Sequence, residues 1–231
     1  MKNLARNTLV WIDESAWRQI EARDWDAQAS DILAHWRRHG LPLVVCRQRD
    51  YDTGDEICVG LSAPSQWSRR RLALRVRLDQ IKVSGVFPTL LQVARANRWG
   101  RTALDLALAL SARGADARVY GSHGWQFLTG LAYLHAESDI DLSLKVIDFE
   151  TACQVTQQLA VAQLRRRLDG EIVFATGEAI AWRELRQLVA GQTVQVMVKE
   201  RCRIRLAVMD EVRQFGRGVA ALAPETAWAL N

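Results

Sequence analysis

Apolar and polar residues alternate most cleanly between Arg71 and Leu78. Leu72, Leu74, Val76 and Leu78 fall on one face, with Arg71, Arg75 and Arg77 on the other. That period of two predicts a half-buried strand with a basic outer face. Upstream, Leu41 to Cys46 and Glu56 to Leu61 read as short strands around a turn at Asp52-Thr53-Gly54. A helix capped by Asp24 or Asp26 carries Ile32, Leu33 and Trp36 to a stop at Gly40. The pattern breaks at Ser84-Gly85, after which Pro88 opens a helix through Leu91 and Ala94. A second helix starts at Thr102, with Asp105 as an approximate capping box, and ends at Gly114. Next come a strand (Arg118 to Tyr120), a short helix (Trp125 to Gly130) and a strand (Ile140 to Val146). Asp148 then caps a helix bearing Ala152, Val155, Leu159 and Ala162 at helical spacing. Strand Glu171 to Ala175, helix Ala179 to Ala190 with Gly191 as its stop, and strand Thr193 to Lys199 follow. This interleaving predicts an α+β protein, with a smaller N-terminal α/β domain over 1–85 and a mixed sheet with packed helices over 86–231.

Composition narrows the class without changing that picture. With 231 residues, 49% hydrophobic and 25% charged, the chain can bury a full core and is neither disordered nor fibrous. Cys46, Cys58, Cys153 and Cys202 form no CxxC pair, which argues against a disulfide framework and a structural zinc. No apolar run approaches a membrane span, and Asp13 and Glu14 follow the N-terminus too closely for a signal peptide. A soluble, cytoplasmic protein is therefore expected. The net charge of +5 is too small to imply nucleic acid by itself. Nine of the aromatic residues are Trp, an unusual share.

Chemistry concentrates in Val119-Tyr120-Gly121-Ser122-His123-Gly124-Trp125 and Ser138-Asp139-Ile140-Asp141-Leu142. Asp is depleted in strands, yet Asp139 and Asp141 sit at i and i+2 of an apolar run. Such positions share one face, about 7 Å apart. Two like charges there repel unless a cation lies between them, and carboxylate oxygens suit Mg²⁺. An exposed strand end with two solvated carboxylates has the same signature. The Gly121-Ser122 turn adds backbone N–H groups at a helix start, where an anion binds readily, although a Gly-Ser turn is also a common N-cap. Together the pieces supply a phosphate cradle and a metal pair joined by one short helix, the layout a nucleotidyl transferase needs.

Gly-Ser followed by Asp-x-Asp on the next strand resembles the nucleotidyltransferase (DNA polymerase β-like) fold. The fuller stretch of Tyr120-Gly121-Ser122, Trp125-Gln126, Leu128-Thr129-Gly130-Leu131, Tyr133-Leu134 and Ser138 to Leu142 is similar to a narrower group. It resembles the phosphoribosyl-dephospho-CoA transferases, the holo-acyl-carrier-protein synthases of malonate decarboxylase. The likeness extends to Leu41-Pro42-Leu43-Val44-Val45, Val59-Gly60-Leu61, Ala181-Trp182-Arg183-Glu184 and Val198-Lys199. Asn7 stands where that family would have a His, and His123 and Gly124 occupy variable positions, so none of the three is assigned a role. The resemblance implies a triphosphoribosyl-dephospho-CoA donor and, as partner, the apo acyl carrier subunit of malonate decarboxylase, whose serine attacks the α-phosphorus. It implies that Asp139 and Asp141 hold Mg²⁺ and that Gly121 and Ser122 cradle the triphosphate. A third carboxylate is expected on a neighbouring strand, with Glu171 as candidate and Asp169 and Glu178 as rivals. Lys199 is a candidate phosphate contact, or else a solvated strand end.

Arg201, Arg203 and Arg205 alternate with Cys202, Ile204 and Leu206, a second strand with a basic face. That face, or Arg69-Arg70-Arg71 or Arg165-Arg166-Arg167, would steer an acidic carrier protein, or would simply be solvated. His35 and His39 lie at i and i+4 without an intervening carboxylate, a structural pair rather than a zinc site. Trp125 and Trp182 flank the motifs, where they would shape a donor pocket or pack in the core. Two rival functions share these residues. A generic adenylyl transferase would use the same Gly-Ser and Asp-x-Asp site, and a non-catalytic RNA or polyanion binder would use the basic faces. The carboxylate pair makes nucleic acid the weaker reading, since it would repel a phosphate backbone.

Overall fold

The computed structural model describes residues 4–48 and 55–217. The turn expected at Asp52-Thr53-Gly54, the last tryptophan, Trp228, and the end of the C-terminal domain lie outside the described residues. Two sheets carry the α+β fold. The first holds β1 (Leu9–Ile12), β2 (Leu43–Val45), β3 (Glu56–Ser62), β4 (Arg71–Arg77) and β5 (Ile81–Gly85) in the order β4-β3-β2-β1-β5. All its pairings are antiparallel. β4 shows the expected alternation, with Leu72, Leu74 and Val76 buried and the arginines outward. Their side chains meet those of α1 (Glu14–Glu21) and α2 (Ala27–Arg38) in one core that includes Trp17, Ile32 and Trp36. Asp26, not Asp24, caps α2 by accepting from the Ala29 N–H. β1, α1 and β5 had no counterpart in the expected elements; β1 is only four residues long and α1 eight, too short for a periodic signal.

The second sheet runs β11-β10-β9-β8-β7-β6. Its strands are β6 (Asp116–Val119), β7 (Ile140–Val146), β8 (Leu168–Phe174), β9 (Ala179–Ala181), β10 (Gln195–Lys199) and β11 (Ile204–Val208). Only β7 and β8 are parallel among these pairs, and α6 (Phe149–Val161) makes the crossover between them. α3 (Leu90–Ala96), α4 (Arg101–Ala112), α6 and α7 (Trp182–Val189) contribute to one core with Leu142, Leu144, Ile172 and Phe174. That face is covered, so Asp141, Asp169 and Glu171 fall on the other one. α5 (Gly121–Thr129) leaves β6 at the motif, and α8 (Met209–Val212) closes the described chain.

Several expected elements shift; the helix expected from Trp125 already starts at Gly121. Pro88 precedes α3 rather than opening it, because the Thr89 and Gln92 side chains close a reciprocal capping box there. Thr102 lies inside α4, which is entered through Gly100 at φ +85° with no side-chain cap. Ala179 to Ala181 pair with β8 and β10 as a strand, so the helix expected from Ala179 starts at Trp182. β8 begins at Leu168, which places Glu171 at its middle and brings Asp169 into the strand.

Candidate active site

β6 ends at Val119, and the Tyr120 N–H reaches across to the Asp141 carbonyl at 3.0 Å. Gly121 then turns at φ +60°, in the left-handed region open to glycine. A Cβ at this position would lie 1.9 Å from Asp141 Oδ2, so the carboxylate rests directly on the glycine backbone. Gly124 serves packing, since a Cβ there would meet the Val119 carbonyl at 2.3 Å. Two glycines thus let α5 fold back over the end of β6 while its first turn faces a carboxylate. No side chain caps that turn, which leaves its N–H groups available to an anion.

Asp141 stands in register with Asp169 on β8. Burial, and after it the charges of Asp169 and Asp139, push the Asp141 carboxyl up to about 6. Arg71 of β4 acts in the opposite sense. Arg167 lies 3.9 Å from both Asp139 and Asp169, a loose bridge over the acidic edge. Burial, then the charges of Glu171 and Asp141, raise the Tyr120 phenol, which stays protonated as a hydrogen-bond donor. Among the described residues no group of three or more His, Cys, Asp or Glu is arranged to hold a metal ion. Asp139 and Asp141 instead present carboxylate oxygens at one strand end, with ionisation of Asp141 disfavoured first by burial and then by the charges of Asp169 and Asp139. That fits Mg²⁺, which takes one or two carboxylates and completes its shell with water and phosphate oxygens.

Glu171 sits two residues past Asp169, with different company. It is 6% exposed and is held by Arg6 and by Lys199, whose Nζ is 2.5 Å from its Oε1. Arg6 comes from the segment before β1, so this triad around a buried carboxylate ties the two domains together. The structure therefore brings Asp139, Asp141, Gly121 and Ser122 to one edge and sets Glu171 and Lys199 beside each other nearby. The register neighbour of Asp141 is the rival carboxylate Asp169. Glu178 is instead bonded to Thr176 in the turn after β8.

The acidic edge opens into a cavity of about 560 Å³ between the domains. Tyr120, Gly121, Ser122 and Asp141 line one side; Asn7, Cys46, Arg69 and Arg71 line the other. Asn7 and Arg69 hold φ values of +66° and +55°, uncommon for residues with a side chain. Arg70 turns away to Asp26, with Nη1 2.6 Å from Oδ1. In the sequence Arg69-Arg70-Arg71 is only a basic run; the left-handed turn at Arg69 and the start of β4 at Arg71 separate their side chains from that of Arg70.

Trp125 settles into the N-terminal core, edge-on to Trp36 at 6.4 Å and to Phe87 at 5.6 Å, and the Tyr133 hydroxyl donates to the Ser62 carbonyl at 2.7 Å. The cleft wall is thus braced from the other domain. Trp182 is buried in the C-terminal core with Arg183 over its ring at 4.3 Å. The second basic strand is displaced: β11 starts at Ile204, and Arg203 and Arg205 are paired with Glu200. His35 and His39 meet as tilted rings with centroids 4.3 Å apart, and no described helix is long and apolar enough to cross a membrane.

Comparison with known proteins agrees with this two-domain organisation. Residues 5–87 match the family described as phosphoribosyl-dephospho-CoA transferase MdcG N-terminal domain, and residues 88–210 its C-terminal domain. A protein of Bradyrhizobium diazoefficiens named phosphoribosyl-dephospho-CoA transferase is 36% identical over 224 residues, 92% of each chain. One of the same name from Xanthomonas axonopodis pv. citri is 34% identical over 206 residues, 87% of this chain and 92% of its own. Another, from Xanthomonas campestris pv. campestris, is 31% identical over 215 residues, 89% and 97% of the two chains. No solved structure matches.

Proposed function

The chain belongs to the phosphoribosyl-dephospho-CoA transferase MdcG family of enzymes, and from that premise we propose the reaction of the interdomain cleft. It moves the 2′-(5″-phosphoribosyl)-3′-dephospho-CoA group from its triphosphoribosyl donor to a serine of the apo acyl carrier subunit of malonate decarboxylase. The serine oxygen bonds to the α-phosphorus, the bond from that phosphorus to the β-phosphate oxygen breaks, and diphosphate leaves. The observation that carries this reading is the contact of the Asp141 carboxylate with the Gly121 backbone, because it puts a metal-type carboxylate and a phosphate turn at one point.

In the chemistry this implies, the α5 N–H groups and the Ser122 hydroxyl hold phosphate oxygens at the cleft wall. Arg69 and Arg71 approach from the N-terminal domain and neutralise charge on the same group. Asp139 and Asp141 would hold Mg²⁺; bound there, the ion would supply charge neutralisation for donor oxygens and the leaving diphosphate. Glu171 fixes Lys199 and Arg6 through ion pairs beside the cleft. The nucleophile belongs to the partner, so positioning and neutralisation are the main contributions of this chain. On this reading the C-terminal sheet is of nucleotidyltransferase type.

The test is a mass measurement on the apo carrier subunit after incubation with this protein, Mg²⁺ and the triphosphoribosyl donor. The expected result is a gain of one phosphoribosyl-dephospho-CoA group, absent with Asp139→Ala. Normal turnover by Asp139→Ala, or transfer from ATP in place of the donor, would overturn the assignment.

A further inference from the structure

A second cavity, also of about 560 Å³, opens at the turn between α3 and α4 and shares no lining residue with the cleft. Its volume is that of an ordinary small-molecule site. Within it lies His123, 2% exposed, with no hydrogen-bond partner at either ring nitrogen. A buried polar group left unpaired costs about 1–3 kcal/mol, so the imidazole is either matched by a bound molecule or by water. Burial, with the nearby Arg166 charge, pushes the ring down to about 4, although the Ser138 backbone acts in the other direction. At neutral pH the ring is uncharged and presents one donor and one acceptor. Trp99 meets it edge-on at 4.9 Å, and Leu134 and Leu164 add apolar wall.

The charged residues of the lining are three arginines, with no carboxylate. Arg98 and Arg165 make no side-chain hydrogen bond or ion pair among the described residues. Arg98 is held at φ +51°, a conformation rare for a residue with a side chain. Arg166 is anchored, its Nη1 donating to the carbonyls of His135, Ala136 and Ser138 at 3.2, 3.0 and 3.2 Å. An uncharged imidazole beside an indole suits a flat polar ring or a sugar hydroxyl, and uncommitted guanidinium groups suit phosphate. We propose that this cavity binds a nucleotide, with base or sugar against Trp99 and His123 and phosphates at Arg98, Arg165 and Arg166. The cavity is separate from the cleft, with no lining residue in common.

The test is calorimetric titration of the full chain with ADP, without metal and with chelator, using inorganic pyrophosphate as the second probe. The expected result is saturable 1:1 ADP binding, unchanged in Asp141→Asn and weakened at least ~10-fold in the double variant Arg98→Ala/Arg165→Ala. Both arginines are exposed, so that variant keeps its melting temperature. His123→Leu weakens ADP similarly, and pyrophosphate binds at least ~10-fold less tightly than ADP. Three results would overturn the proposal. One is no saturable ADP binding at millimolar concentration, which leaves His123 to water. Another is binding lost in Asp141→Asn but kept in the arginine double variant, which assigns the nucleotide to the cleft. The last is pyrophosphate binding as tightly as ADP, which leaves only an anion rim.

Discussion

Replacing Gly121 by alanine separates the two things that glycine does. At φ +60° an alanine pays the left-handed backbone cost of about 1–2 kcal/mol. For a protein of this size that lowers the melting temperature by about 2–4 °C per kcal/mol. The second effect is local: the new Cβ would lie 1.9 Å from Asp141 Oδ2, where ordinary contact is 3.4–4 Å. The carboxylate must therefore retreat by roughly 1.5 Å, and a displacement of about 1 Å in reacting geometry costs about 100-fold in rate. Gly130 gives the matched control, since it holds φ +71° with nothing within 4 Å of an added Cβ. The expected outcome is similar destabilisation in Gly121→Ala and Gly130→Ala by thermal melting, with transfer to the carrier subunit, followed by mass, lost about 100-fold only in the first. Gly121→Ala turning over within about threefold of Gly130→Ala would refute the coupling of the turn to Asp141.

Asp141→Asn is expected to abolish transfer yet raise the metal-free melting temperature above pH 6. The native carboxyl at about 6 against 3.8 unfolded means that the native state binds more protons between those values, so wild-type stability falls as pH rises through that window. The advantage of the variant should therefore be absent near pH 4 and full above pH 6; melting curves with chelator across that range check it, and an advantage that shrinks with pH would reverse the sign. Glu171→Gln should lower the melting temperature, because Arg6 and Lys199 lose their shared counter-charge in a nearly buried place. Adding Lys199→Met should recover part of that loss, and strict additivity of the two changes would show that the pair is not coupled.

The long, regular elements were legible in the sequence, and the reasons are local. β4 and β7 have strict alternation over seven residues, and Asp148 caps α6 by accepting from the Thr151 N–H, as its spacing predicts. Short elements were not, because β1, β9 and α1 offer too few residues for a period to register, and their identity comes from the pairing partner. The site divides the same way. Gly121, Ser122, Asp139 and Asp141 stand close in sequence and carry their own pattern. The neighbours supplied by tertiary pairing left no such trace. Asp169 gains its place from one residue of register on β8, and Arg6 from a segment 165 positions away from Glu171.

The function of the N-terminal domain, illegible from its own sequence, follows from what crosses the boundary. Trp125 and Tyr133 belong by sequence to the C-terminal domain, yet both are buried in the N-terminal core. Trp125 sits four residues past Gly121 on α5, so the turn that faces Asp141 is positioned by packing against Trp36 of the other domain. Arg6 adds an ionic tie to Glu171, and Arg69 and Arg71 complete the cleft wall. A phosphate turn needs its backbone fixed to a fraction of an ångström. A nine-residue helix with no side-chain cap lacks that rigidity on its own. On the proposed reading, the N-terminal domain would be the second half of the active-site framework.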